Sequence, residues 1–303
     1  MGQEGGAITA GKKTQSDNFL TVAGKLNDDK FQRVATACRW LQQAGVKCTV
    51  LSLLPTDYDQ WLAKALDKTG ISHKSNLVAL VGQPLQYLGG EEEFMQWAET
   101  KHGYSDSKTN AILYKRMAKQ AWEKHMLDSG RQYAKMTFTQ DDADIGTILI
   151  EIFTDHCPRT AAQFIGLLKA KRENGEMAYE GCPVHRVVSG GWMQSGDVVE
   201  GAGNGDPGYS FPDETFKVRH DIPGIIGCAN KLATPHTNNS HFYITFKALP
   251  FLDGKKVAFA RVVDGLRVLR VIEKTKLSFE RPTKTVRISK CEVLDTPAIS
   301  AES

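Results

Sequence analysis

The chain has 303 residues, enough for two compact domains. Its apolar (41%) and charged (24%) fractions are those of an ordinary globular protein, and a net charge of +3 is too small to argue for nucleic acid or a membrane surface. No apolar run is long enough to span a bilayer, no apolar signal core opens the chain, and the six cysteines include no Cys-x-x-Cys pair, which together predict a cytoplasmic protein with reduced thiols.

Residues 1–17 are rich in Gly, Lys, Thr and Gln and are expected to be a disordered N-terminus. Phe19–Ala23 reads as a strand. Phe31, Val34, Ala35, Cys38 and Leu41 then fall at helical spacing, with Asn27 or Asp28 as N-cap and Gly45 as stop. Val46–Leu53 is a second strand, and Tyr58, Trp61, Leu62, Ala65 and Leu66 mark a second helix ending near Gly70. Leu77–Val81 is a buried type of strand; Gln83-Pro84 turns it, and Leu85–Leu88 pairs back. Glu91-Glu92-Glu93 opens a third helix with its acids at the positive end. Ser105–Gly130 is amphipathic, with Ile112, Leu113, Met117, Ala121, Trp122 and Met126 on one side, and predicts a helical linker over 104–132. From Met136 the pattern alternates, Ile148, Ile150 and Ile152 against Leu149, Glu151 and Phe153. Short strands, Gly-rich turns and helical segments near 160–171 and 265–273 follow, up to a tail over 297–303.

Function is carried by the stretch from Tyr179 to Asp197. Arg186 and Gln194 stand eight residues apart on β-rich sequence, which would put both on one face of a single pleated strand. A permanent cation and a neutral amide among apolar residues suit a neutral, partly apolar ligand; hydrolysis would need a nucleophile and a base. Cys182-Pro183-Val184-His185 lacks a second ligand pair at zinc spacing, so no metal is expected. The segment Gly201–Gly208 fails the dinucleotide pattern and reads as a loop beside the site, so no cofactor is expected either.

From about Tyr133 to Asp295 the ordered motifs Cys157–Phe164, His185-Arg186, Gln194–Asp197, Phe211–Phe216, His220 with Pro223-Gly224, Ala229-Asn230, Asn238–Thr245 and Phe251–Phe259 resemble the cyclophilin-type peptidyl-prolyl cis-trans isomerases. That resemblance implies a closed antiparallel β-barrel capped by two helices over 133–296, acting on X-Pro bonds of protein segments. It also implies Arg186 and Gln194 as catalytic residues, and Trp192, Ala229, Asn230, His241, Tyr243, Phe251 and Leu252 as substrate-binding ones. Departures from the pattern are Gly191 and Trp192 where the family has phenylalanine and methionine, His241 for glutamine and Tyr243 for phenylalanine. Lys256 stands for a histidine, and Phe251 for the tryptophan that many members use to bind cyclosporin. They imply weak or substrate-restricted isomerase activity, with Trp192 swinging across the proline pocket into the space left at Gly191; the alternative is a degenerate domain that only binds proline-containing partners.

The N-terminal order βαβα then ββα over 18–103 resembles the thioredoxin and glutaredoxin fold, without its redox cysteines: Lys25–Lys30 stands where the family has Cys-x-x-Cys, and Ser75-Asn76 where it has a cis-proline. Cys38 and Cys48 read as core residues. The Gly191-Trp192 pair together with this extension is similar to cyclophilin-like proteins of cilia and radial spokes, which implies axonemal partners and an axonemal setting.

Overall fold

A computed structural model describes residues 19–69, 76–82, 86–106, 111–230 and 234–295. The chain divides into two units, 1–121 and 122–303. The expected N-terminal disorder and C-terminal tail, the Gln83-Pro84 turn and Ser75 lie outside the described residues.

In the first unit, strands β1 (Phe19–Lys25), β2 (Lys47–Leu53), β3 (Leu77–Val81) and β4 (Gln86–Gly89) form one sheet in the order β2-β1-β3-β4. β1 and β2 are parallel; β1 with β3 and β3 with β4 are antiparallel. Helices α1 (Asp29–Gln43), α2 (Pro55–Thr69) and α3 (Glu91–His102) cover the sheet. The pleat decides which residues meet which helix. Leu20, Val22, Leu77 and Ala79 pack with Phe31, Val34, Cys38 and Leu41 of α1 and Phe94 of α3, whereas Ala23, Val78 and Leu80 pack with Tyr58 and Leu62 of α2. The expected N-cap is Asp28, whose carboxylate accepts from Phe31 N at 2.9 Å. Glu93 accepts from Gly90 N at 2.9 Å, and Glu91 ion-pairs with Arg33 at 3.0 Å, so the acidic opening of α3 is used twice. Cys38 is buried and Cys48 packs at the edge of the same core; the hydrogen bond between their thiols, with burial, pushes Cys38 up, and the same bond pulls Cys48 down against its own burial.

Helix α4 (Ala111–Ser129) forms where the linker helix is expected, but its buried stripe is Tyr114, Ala118 and Met126, while Ile112 is 78% exposed. The apolar face read from the sequence is thus out of phase in its first turn. A tyrosine can bury its ring with its hydroxyl toward a carboxylate, here Asp106 at 3.4 Å, which hydropathy alone does not register.

In the second unit, strands β5 (Gln132–Gln140), β6 (Ala143–Ile152), β7 (Arg186–Val188), β8 (Trp192–Ser195), β9 (Ile225–Cys228), β10 (Phe242–Thr245), β11 (Ala258–Asp264) and β14 (Val286–Leu294) make a curled antiparallel sheet. Its order is β14-β5-β6-β11-β9-β10-β8-β7. Its two edges approach each other: Gly181 N and Val184 N donate to Ile288 O and Val286 O at 2.7 and 2.8 Å, with a bridge from Pro183 to Arg287. A separate small hairpin joins β12 (Leu277–Ser278) to β13 (Arg281–Pro282). Helix α5 (Pro158–Lys169) buries Ala161, Phe164 and Leu168, and α6 (Leu266–Glu273) buries Leu266, Val268, Leu269 and Ile272. Phe164 anchors the core, with ring centroids 4.9–5.6 Å from those of Phe259, Tyr179 and Phe242. Two acids fix the framework. Glu214 accepts from Arg159 N and Thr160 N at 3.0 and 2.8 Å, closing the start of α5. Glu151, only 2% exposed, receives Arg131, Arg261 and Tyr133 at 3.2, 2.6 and 3.2 Å. Its alternate position on β6, expected to face outward, is therefore buried as a charge cage.

Glu151→Ala would remove the buried anion that Arg131 and Arg261 share, while Arg131 keeps Asp155. Because both arginines keep about a fifth of their surface exposed, the cost should sit near the lower end for a broken buried pair, about 3 kcal/mol. Calorimetry should show the melting point of the second unit falling by roughly 6–12 °C, and by clearly less in Glu151→Gln.

Candidate functional site

Arg186 and Gln194 share a face, but not along one strand. Ser189-Gly190-Gly191 reverses the chain between β7 and β8, with Gly190 at φ 66° and Gly191 N bonded to Val188 O at 2.9 Å. The two residues are consequently direct cross-strand partners. The pairing continues across the sheet: Arg186 stands opposite Gln194, Gln194 opposite Tyr243, and Tyr243 opposite Gly227. The site is one transverse row of four strands, and Trp192, two residues before Gln194, lies on the same face.

A groove of about 690 Å³ runs over this row. Its lining brings together Arg186, Gln194, Trp192, Ala229, Asn230, His241, Tyr243 and Leu252. Phe251, on the single turn Pro250–Leu252, is 56% exposed and is not part of that lining. Gly191 does not line it either; a Cβ there would come within 3.2 Å of Val188 Cγ1. Trp192 does not fill the groove as expected. Its ring forms a wall, with the Arg186 guanidinium carbon 5.9 Å from the ring centroid, at the outer reach of a cation–π contact.

Arg186 is held from two further sides. Its Nε donates to Glu280 Oε2 at 2.7 Å and its Nη1 to Gln194 Oε1 at 3.4 Å. Tyr243 is 3% exposed, and its hydroxyl turns away from solvent to His220 Nε2 at 2.7 Å. His220 Nδ1 meets Asp253 Oδ1 at 2.9 Å. Burial keeps His220 below its ordinary value despite Asp253, and pushes the Tyr243 phenol well up. The neutral imidazole thus donates from Nδ1 to Asp253 and accepts the Tyr243 proton at Nε2. Gly227 makes room, since a Cβ there would lie 2.2 Å from the Tyr243 oxygen. At the far end Lys256 donates to the Asn230 side chain, and burial pulls its ammonium below the usual value.

The glycine-rich segment forms another wall, through Gly203, Asn204, Gly205 and Asp206. It is organised by Asp197, whose side chain accepts from Val199 N, Glu200 N, Gly203 N and Gly205 N at 3.1, 2.9, 2.7 and 3.0 Å. Burial alone would raise the Asp197 carboxyl, but these backbone donors hold it far below the carboxylate range. A Cβ on Gly205 would sit 2.1 Å from Asp197 Oδ1, so the glycines serve this internal anion rather than a phosphate. His185 and His241 complete the floor, ring centroids 5.5 Å apart. Burial, then the neighbouring His241, takes His185 down to about 4, and burial lowers His241 too, so both are neutral at pH 7. Among the described residues, no group of three or more His, Cys, Asp or Glu is placed to hold a metal, and no helix is long and apolar enough to cross a membrane.

Sequence reasoning assigned no role to Glu280, Asp197, His185 or the His220–Asp253 pair. His185, Asp197, His220 and Asp253 fall within the ordered motifs without a role of their own, and the four closely spaced glycines after Asp197 signal a loop that needs close backbone approach.

Residues 135–293 match the sequence model of the family described as cyclophilin type peptidyl-prolyl cis-trans isomerase/CLD. Among curated proteins, the chain is 34% identical over 224 residues to the human protein named "Probable inactive peptidyl-prolyl cis-trans isomerase-like 6", covering 72% of this chain and 70% of that one. The mouse protein of the same name is 33% identical, covering 70% and 69%. "Peptidyl-prolyl cis-trans isomerase cyp11" of Rhizopus delemar is 37% identical over 160 residues, half of this chain and 47% of its own.

Asp197 ties pH to stability. Its folded pKa is depressed, so its contribution is complete above the ordinary carboxylate value near about 3.9 and is lost as pH falls toward the folded one. Asp197→Asn, which puts an amide donor against backbone N–H groups, should cost about 2–3 kcal/mol at pH 7. Melting curves should also show a shallower loss of stability below about pH 4 than in the wild type. A Trp192 that forms a wall makes a second expectation: Trp192→Met should lower exchange of an X-Pro peptide about two- to fivefold, the worth of one cation–π contact. A rise, read by NMR exchange, would show that the indole obstructs the groove.

Proposed function

The chain belongs to the cyclophilin-type peptidyl-prolyl cis-trans isomerase family, and from that premise we propose that it is a weak or substrate-restricted isomerase of X-Pro bonds in protein segments. The observation that carries this is the row of Arg186, Gln194 and Tyr243 on the floor of an open groove. An X-Pro amide rotates over a barrier of about 18–20 kcal/mol, while its cis and trans forms differ by only about 0.5–1 kcal/mol. Rotation breaks the resonance, and the nitrogen gains a lone pair. A fixed guanidinium aimed at that lone pair stabilises the rotated state more than either planar one. Arg186 stays charged at every relevant pH. Gln194 steadies it and offers its amide to the substrate carbonyl, the backbone of Asn230 grips the peptide, and the face of Tyr243 with Leu252 receives the proline ring.

The finer architecture belongs to the same reading. The bonds from 181–184 to 286–288 support a closed barrel. The order β2-β1-β3-β4, with one parallel pair and helices on both faces, supports a glutaredoxin-like N-terminal unit. With Lys25–Lys30 after β1, that unit is a docking module without disulfide chemistry. The client is a proline-containing segment, and an axonemal setting is part of the proposal, supported by the Gly191-Trp192 pair.

A second reading, a degenerate domain that binds without turnover, is favoured by one feature: the Arg186 cation is already partnered by Glu280. The names of the human and mouse relatives agree with it. Exchange spectroscopy on an X-Pro peptide library decides between the two. Arg186→Ala should lower exchange by about 10²–10³-fold, as for other lost preorganised donors, while peptide affinity changes little. Wild-type exchange no faster than that of Arg186→Ala, with binding intact, would establish the binding module instead.

A further inference from the structure

The hairpin β12–β13 has two central residues, Phe279 and Glu280, at φ 48° and 63°. Positive φ at both positions is the pattern of a type I′ turn, which asks for Asn-Gly or Asp-Gly. The turn between β5 and β6 has the same shape and meets that demand with Asp141 and Asp142, at φ 48° and 66°. At β12–β13 the chain instead places a bulky aromatic and a long acid in a backbone region that L side chains enter only with strain. Packing does not compensate: Phe279 is 99% exposed.

The return for that strain lies at the groove. Glu280 O accepts from Val187 N at 2.7 Å, so the turn is bolted to the residue following Arg186. Arg281 donates to Ala202 O at 2.7 Å and fixes the other limb. The Glu280 carboxylate then takes the Nε edge of Arg186 at 2.7 Å. With Nε engaged there and Nη1 on Gln194, the guanidinium plane is set, and its remaining N–H groups are the ones free to meet a ligand.

We propose that Glu280 is a positioning residue for the isomerase reaction. It acts through Arg186, orienting the guanidinium toward the groove, and the strained Phe279-Glu280 turn exists to deliver it. This rests on the isomerase reading for its kinetic consequence, though not for its structural one.

The test uses the full chain with arginine labelled in ¹⁵N, and three readouts on each variant: the Arg186 Nε–H signal, the melting point, and kcat and KM on an X-Pro peptide. Glu280→Ala should lose the Arg186 Nε–H signal to exchange with water, and kcat should fall about three- to fivefold, the scale of a partly exposed ion pair, with KM little changed. Glu280→Gln keeps an acceptor at the same place and should restore both. The double variant Phe279→Asn/Glu280→Gly supplies the residues that the turn prefers, so it should melt about 2–4 °C higher while losing the signal and the rate like Glu280→Ala. A double variant that keeps the Arg186 signal and the wild-type kcat would overturn the proposal, as would Glu280→Gln behaving like Glu280→Ala. If the wild type shows no turnover, the isomerase reading falls on its own, and the Arg186 signal and the melting points still decide the role of Glu280.

Discussion

Everything in the groove depends on one register: Arg186 opposite Gln194 opposite Tyr243, a single row across three antiparallel strands. A long, solvated side chain such as arginine loses much rotamer freedom when it is fixed, so the protein must fix it by several weak contacts at once. The row does this with little machinery of its own. The hairpin that carries Arg186 is short, and it is held by neighbours: Gly190 N reaches Glu273 of α6 at 3.1 Å, Phe246 N reaches Gly191 O at 2.8 Å, and Ser195 reaches Pro183 O at 2.9 Å. Shifting that hairpin by one residue would turn Arg186 and Gln194 into the core and bring Met193 and Ser195, now fully buried, to the surface. The apolar core under Phe164 therefore sets the position of the cation, although Phe164 is not itself part of the groove lining.

Around this row the polar framework is built from carboxylates that do no chemistry. Asp197 shapes a wall, Glu214 starts a helix, Glu151 gathers two arginines, and Asp253 fixes the tautomer of His220 so that the Tyr243 hydroxyl is drawn inward. The last of these has a direct effect on the site. A phenol that pointed into the groove would offer a hydrogen bond where a proline ring needs an apolar surface. Tied to His220, the ring presents its face as a phenylalanine would.

How far the sequence exposed this depends on whether a feature is local. Strand and helix order in the first unit follows from periodicity, caps and glycines within windows of a dozen residues, with Asp28 and Gly90 at boundaries that such signals mark, whereas in the second unit local pattern gave short strands and two helical segments and the resemblance gave their arrangement. The groove residues were legible because their ordered motifs carry a family resemblance, not because their spacing alone implies a pocket. What escaped was non-local or conformational. Glu280 lies 94 residues from Arg186, and nothing in Phe279-Glu280 signals a left-handed turn, since both residues argue against one. The hairpin between Arg186 and Gln194 escaped for a different reason: an even spacing predicts a shared face along a strand, and a tight two-glycine reversal yields the same face by another route. On α4, counting apolar letters missed that Tyr114 and Ala118 bury better than Ile112.

The charged residues beside the row then have a common physical sense. Lys256, which lines the groove, and Glu280, which does not, bring opposite charges to lining side chains, one to Asn230 and one to Arg186. Each engages a side chain that lines the groove. His185 and His241, both kept neutral by burial, lie between. Any ligand of the groove therefore meets an Asn230 side chain and an Arg186 Nε edge that already have internal partners. The carboxylate that orients the cation also offsets part of its field. The row of Arg186, Gln194 and Tyr243 and the charges beside it are then parts of one arrangement, in which the contacts that hold the cation in place also temper it.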